Sequence, residues 1–209
     1  MANIVCNEIN PQGVEIRLRV QPGNLYFYAD YGTVTANYAD GTPIQQYVQN
    51  NVPVAGEVIL TLSQPQGEVI HFGNDAVVEI LDWIEGPASY TTFTMSNLVT
   101  VPNWLPSSVE VLDGLFKGSS IFNQDISDWD TSNVITMRNL FNGASTFNQD
   151  ISDWDTSNVT AMQSAFFQAS SFNQDLSSWC VSNITAEPTR FDEGADAWTL
   201  SRPVWGTCP

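Results

Sequence analysis

Apolar and polar residues alternate singly through GVEIRLRV: Val14, Ile16, Leu18 and Val20 share one side, and charged residues take the other. That is the pattern of a half-buried strand. LYFYADY (25–31) and TVTANY (33–38) follow, split by Gly32, and ADGTP (39–43) has the chemistry of a turn. GEVILTLSQ sets Val58, Leu60 and Leu62 on one face, and EVIHF (68–72) closes the set. Five or six short strands at this spacing predict a small antiparallel β-sandwich over residues 1–71.

Beyond that point alternation gives way to recurrence. Trp104, Trp129, Trp154 and Trp179 stand 25 residues apart, as do Phe116, Phe141, Phe166 and Phe191. Phe122, Phe147 and Phe172 keep the same interval, and so do Val101, Ile126, Ile151 and Leu176. The phrase FNQDISDWDTSNV occurs at 122–134 and again at 147–159, with a worn copy, FNQDLSSWCVSNI, at 172–184. A period this strict predicts a solenoid over 72–209, each coil burying its apolar residues against the next.

Within one repeat, Val134, Met137, Leu140 and Phe141 fall at helical spacing, as do Val159, Met162, Ala165 and Phe166. The reading is a strand over DISDW and a helix over SNVTAMQSAF, with N-cap oxygens from Asp155, Thr156 and Ser157. Neighbouring strands about 4.8 Å apart would make a stack of roughly 20 Å. Two asparagine rows, Asn123, Asn148 and Asn173, and Asn133, Asn158 and Asn183, fall at the bends. Their amides are expected to bond the backbone of the turn and of the next coil. NDAVVEILDWIEG (74–86) reads as a first edge strand joined to the β domain. At the other end Pro188 interrupts the helix pattern, and Trp198 and Trp205 read as a lid. Cys180 and Cys208 are candidates for one disulfide over that lid, against two buried free thiols.

Composition narrows the function. Six basic residues face 23 acidic ones in 209, a net charge of −17. No basic stripe is available for nucleic acid, and a solvated exterior or a cationic partner fits better. MANIVCNEINPQG lacks the pattern of a signal peptide, and no segment has the apolar length of a membrane span. His71 is the single histidine and sits in a strand pattern; no GxSxG, HExxH, CxxC or phosphate loop occurs. The acids recur with the repeat, whereas a catalytic pair is placed once. No enzyme and no cofactor are therefore expected. Stacked rows such as Asp125, Asp150 and Asp175 raise calcium as a candidate, because like charges repel and a hard cation offsets them. Exposed carboxylates screened by water and salt are the simpler reading. NVT at 158 and NIT at 183 match the glycosylation acceptor pattern as a consequence of the repeat.

LVTVPNWLPSSVEVLDGLF (98–116) resembles the BspA-like leucine-rich repeat. The FNQDIS-W-TSNVT-M repeats and the ending WCVSNITAEPTRF…RPVWGTCP resemble a variant of the same family over about 85–209. Residues 26–62, through the ADYG and ADGT turns and the QYV…GEVILTL close, are similar to a PKD-like immunoglobulin-type domain. The resemblance implies an immunoglobulin-like β-sandwich followed by a short α/β leucine-rich-repeat solenoid. It also implies display and protein binding rather than catalysis. The setting expected first is the exterior of a virus or phage particle, as capsid decoration or as a fibre or tail component that meets a host surface receptor. A bacterial cell-surface adhesin is the alternative, and a glycan-binding protein stands third. Residues 1–71 are the expected docking or homo-oligomer region.

Overall fold

A computed structural model describes nine strands between Gly13 and Thr94, as backbone and pairing, and residues 98–209 throughout. The strands are β1 (Gly13–Val20), β2 (Gly23–Ala29), β3 (Thr33–Tyr38), β4 (Pro43–Ile44), β5 (Asn50–Val52), β6 (Gly56–Ser63), β7 (Val69–Gly73), β8 (Val77–Asp82) and β9 (Ser89–Thr94). β1 and β6 fall on the alternating stretches GVEIRLRV and GEVILTLSQ. Cys6 and residues 39–42 of the expected turn lie outside the described residues.

Two sheets result, one ordered β4-β3-β6-β1-β8 and the other β5-β2-β7-β9. In the first, β6 pairs antiparallel with both β1 and β3, from Gly13↔Ser63 to Val20↔Gly56 and from Thr33↔Ser63 to Tyr38↔Val58. In the second, β7 is antiparallel to β2 and parallel to β9. His71 pairs across to Tyr28 on one side and Thr92 on the other. The boundary expected after residue 71 therefore falls inside β7. Edge strand β8 pairs with β1 and β9 with β7, so the sheets take in residues as far as Thr94. Recurrence sets in only where the sheet ladders stop.

From Leu98 onward the repeats lie in register. Every second amide donates to the following repeat: Leu112 to Thr136 O, Gly114 to Arg138 O, Phe116 to Leu140 O and Gly118 to Asn142 O. The next repeat does the same from Met137, Asn139, Phe141 and Gly143. Intervening amides bond three residues back, as Lys117 does to Gly114 O and Asn142 to Asn139 O.

The helix expected over Ser157–Phe166 does not form, and among the described residues there is no helix. Two observations explain this. Amides that pair along the stack are lost to i→i−4 bonding. Each repeat also holds two residues in the left-handed region, Gly114 and Gly118, then Asn139 and Gly143, then Ser164 and Gln168, which a right-handed helix cannot contain. The expected DISDW strand is likewise a turn, closed by Trp154 N–H on Ile151 O at 3.2 Å. Between Val111 and Ala161 the ladder reduces to two parallel bridges, Val111↔Thr136 and Thr136↔Ala161.

Candidate binding surface of the repeat stack

The apolar ladders fill one continuous core from Leu98 to Trp198. Phe116, Phe141 and Phe166 stack with centroids 5.3 Å apart at each step, and Phe122, Phe147 and Phe172 at 5.7 and 5.9 Å. Within a repeat the two rows touch, as at Phe141 and Phe147, 4.0 Å apart. Trp129, Trp154 and Trp179 form a third row. Burying an indole requires a partner for its N–H. That partner comes each time from the preceding repeat: Pro102 O, Ile126 O and Ile151 O, at 3.0, 3.1 and 2.9 Å. Trp104 begins the row half-buried against the core.

The polar rows are also committed to the stack. Asn123 Oδ1 accepts from the Asn148 amide at 2.9 Å and from Gln149 Nε2 at 3.0 Å. Asn148 does the same for Asn173 and Gln174, and Asn173 for Thr199 and Leu200. In the second row Asn133, Asn158 and Asn183 each donate Nδ2 to the preceding repeat, at Ser107 O, Ser132 O and Ser157 O. The buried hydroxyls of Thr131 and Thr156 reach forward to Asp155 O and Cys180 O.

The aspartates close local turns. Asp125, Asp130, Asp150, Asp155 and Asp175 each accept the amide two residues on, from a serine in every case. Asp155 thus caps a turn at Ser157 where a helix N-cap was expected. The Ser127 amide, with the Ser127 hydroxyl after it, holds Asp125 below the usual carboxylate range. At Asp130 and Asp175 the hydroxyls of Ser132 and Ser177 lead and their amides follow. Among the described residues no three His, Cys, Asp or Glu side chains converge as a metal site.

Residues 88–200 match a family described as "Mycoplasma protein of unknown function, DUF285", more than half of the 209 residues. The chain belongs to this family. No curated protein and no solved structure matches it. The DUF285 span opens just before β9 and stops at Leu200, so the last nine residues lie beyond it.

Those residues close the end of the stack. Ser201 O and Thr207 O accept from the Leu176 and Val181 amides. Cys208 is joined to Cys180 by a disulfide. Arg202 donates to Asp192, to Trp198 O and to Leu200 O, with its guanidinium 4.4 Å above the Trp198 ring. Among the described residues no helix is long and apolar enough to cross a membrane.

The motif-by-motif reading of the sequence missed a column that breaks the period. Glu110, Ile135, Thr160 and Thr185 occupy one position in successive repeats, and Ile135 is 40% exposed. The available signal was variation within the repeat, which this column shares with others such as Asp113, Arg138, Gln163 and Pro188.

Proposed function

We propose that this chain is a non-enzymatic exterior protein that binds other proteins and displays a short leucine-rich solenoid. Its two sheets are read as an immunoglobulin-like sandwich that docks to a larger assembly. The observation that carries this reading is the commitment of the recurring polar side chains. Asn, Gln, Thr, Trp and Asp side chains are engaged in bonds within or between repeats, which suits a rigid display surface. The disulfide supports an oxidising exterior setting.

The setting placed first is a virus or phage particle, as capsid decoration or a fibre component; the excess of acid suits such a solvated outer face. The second is a bacterial cell surface, favoured by the bacterial genus in the family description. Particles and cell envelopes from the source culture are to be separated on a density gradient and probed with an antibody to this chain. Sedimentation with intact particles is the expected result. Retention in the envelope replaces the first setting with the second, and a purely soluble pool removes both.

A further inference from the structure

One recess on the stack breaks the repeat. It is shallow and open to solvent, with a volume of about 470 Å³, and its lining residues Ser107, Glu110, Asn133, Ile135 and Asn158 are all exposed. The asparagine amides are oriented by the fold. Asn133 Nδ2 is held on Ser107 O at 2.9 Å and Asn158 Nδ2 on Ser132 O at 2.8 Å. A carbonyl accepts only from the amide nitrogen, so each Oδ1 is left as the free end. Neither Oδ1 has a partner among the described residues. Glu110 adds an exposed carboxylate with no ion pair among the described residues. Its backbone carbonyl is already used by the Ile135 and Thr136 amides, at 2.7 and 3.3 Å. Beside it Ile135 presents an aliphatic surface, 40% exposed.

We propose that this recess receives a lysine or arginine side chain of a protein partner. The amide oxygens and the carboxylate are acceptors, so a ligand rich in donors and positively charged is selected. Ile135 selects for an aliphatic stem behind the charged head, as those two residues have. Arg138, Arg190 and Arg202 are paired with Asp113, Glu193 and Asp192, and no described cation of the chain itself pairs with Glu110. A net charge of −17 draws such a partner in. This rests on the protein-binding reading above and names the chemistry of the contact.

The test is an NMR titration of the full chain with the peptide acetyl-Gly-Lys-Gly-Lys-Gly-amide, its arginine form and a norleucine form that keeps the stem and lacks the charge. The Ile135 methyls and the Asn133 and Asn158 side-chain amides are expected to shift saturably with the lysine or arginine peptide and not with norleucine. Glu110→Gln keeps the backbone carbonyl that the stack uses and should weaken binding about two- to fivefold, the effect of one exposed charge pair. Unchanged Asn148 resonances check that the variant is folded. Shifts that follow Asp125, Asp150 and Asp175 instead, or equal binding by Glu110→Gln, overturn the proposal. Neither result alters the outcome of the particle fractionation.

Discussion

The interior repeats and the C-terminal tail use the same aromatic residues in opposite ways. Between repeats the rings lie nearly parallel, at 3° for Phe116 and Phe141 and 2° for Trp129 and Trp154. In the tail they turn on edge, Trp198 at 83° to Phe172 and Trp205 at 84° to Phe191. A parallel ring hands the next repeat the face it has just received, so the row can continue. A perpendicular ring covers that face and offers none like it. The hydrogen bonds change with the rings. Trp154 and Trp179 donate their N–H to the preceding repeat, whereas Trp198 Nε1 is buried with no partner among the described residues. Propagation and termination are thus separate structures, the first held by recurring contacts and the second by a disulfide and one arginine.

The largest effects should sharpen this contrast. Phe147 is fully buried and stacks on Phe122, Phe141 and Phe172; Phe147→Ala should lower unfolding stability by about 3–5 kcal/mol. Trp205→Ala, at the half-buried end, should cost about 1–2 kcal/mol. Equal losses in chemical denaturation would erase the distinction between the regions. Next comes the disulfide, which closes a span of 28 residues. Cys180→Ser should cost about 3.6 kcal/mol by the loop-closure estimate. Hydrogen exchange should speed up at Leu176–Ile184 and stay unchanged at Phe122–Val159; a uniform increase would mean that the tail supports the whole stack.

Smaller still is the asparagine row. Asn148→Ala removes an acceptor shared by the Asn173 amide and Gln174 Nε2 and should cost about 1–1.5 kcal/mol. Asn183→Ala removes one bond, to Ser157 O, and should cost less. The smallest effect is on titration. Asp125, Asp130 and Asp175 are held below the usual carboxylate range by their serines. Their contribution is complete above the ordinary carboxylate pKa and is lost as pH falls through the lowered values. Ser132→Ala should move the Asp130 midpoint upward in a carboxyl-carbon NMR titration while Asp175 stays in place. An unmoved Asp130 would remove the serine hydroxyl as the leading cause.

The core was legible in the sequence because burial follows the period whatever the backbone does. Val134, Met137, Leu140 and Phe141, picked out by spacing, are all at most 1% exposed. The backbone was not legible from the same residues. Consecutive i→i−3 turns place apolar side chains every three residues, and over one short window that cannot be told from a helix. The deciding residues were Asn139 and Ser164, at φ 55° and 56°, and neither advertises a left-handed backbone as glycine does at Gly114. Asp155 fits either role locally, since a helix N-cap and an Asp-Ser turn both use an aspartate accepting an amide two residues on. NDAVVEILDWIEG carries no recurrence and reads as an edge strand joined to the β domain, and the pairing sets β8 beside β1 in the first sheet. The recess around Glu110 needed coordinates, because it joins residues from three repeats.

Interchangeable repeats are the central claim, and deleting residues 147–171 tests it most directly. The new junction joins Thr146 to Phe172, so Asn173 would meet Asn123 in place of Asn148, and Trp179 would donate to Ile126 O in place of Ile151 O. The shortened chain should fold cooperatively, with Cys180 and Cys208 still bridged and no thiol from either in a titration of the non-reduced protein. Free thiols at both positions, or loss of cooperative unfolding, would show that the repeats are individually fitted and contradict the claim.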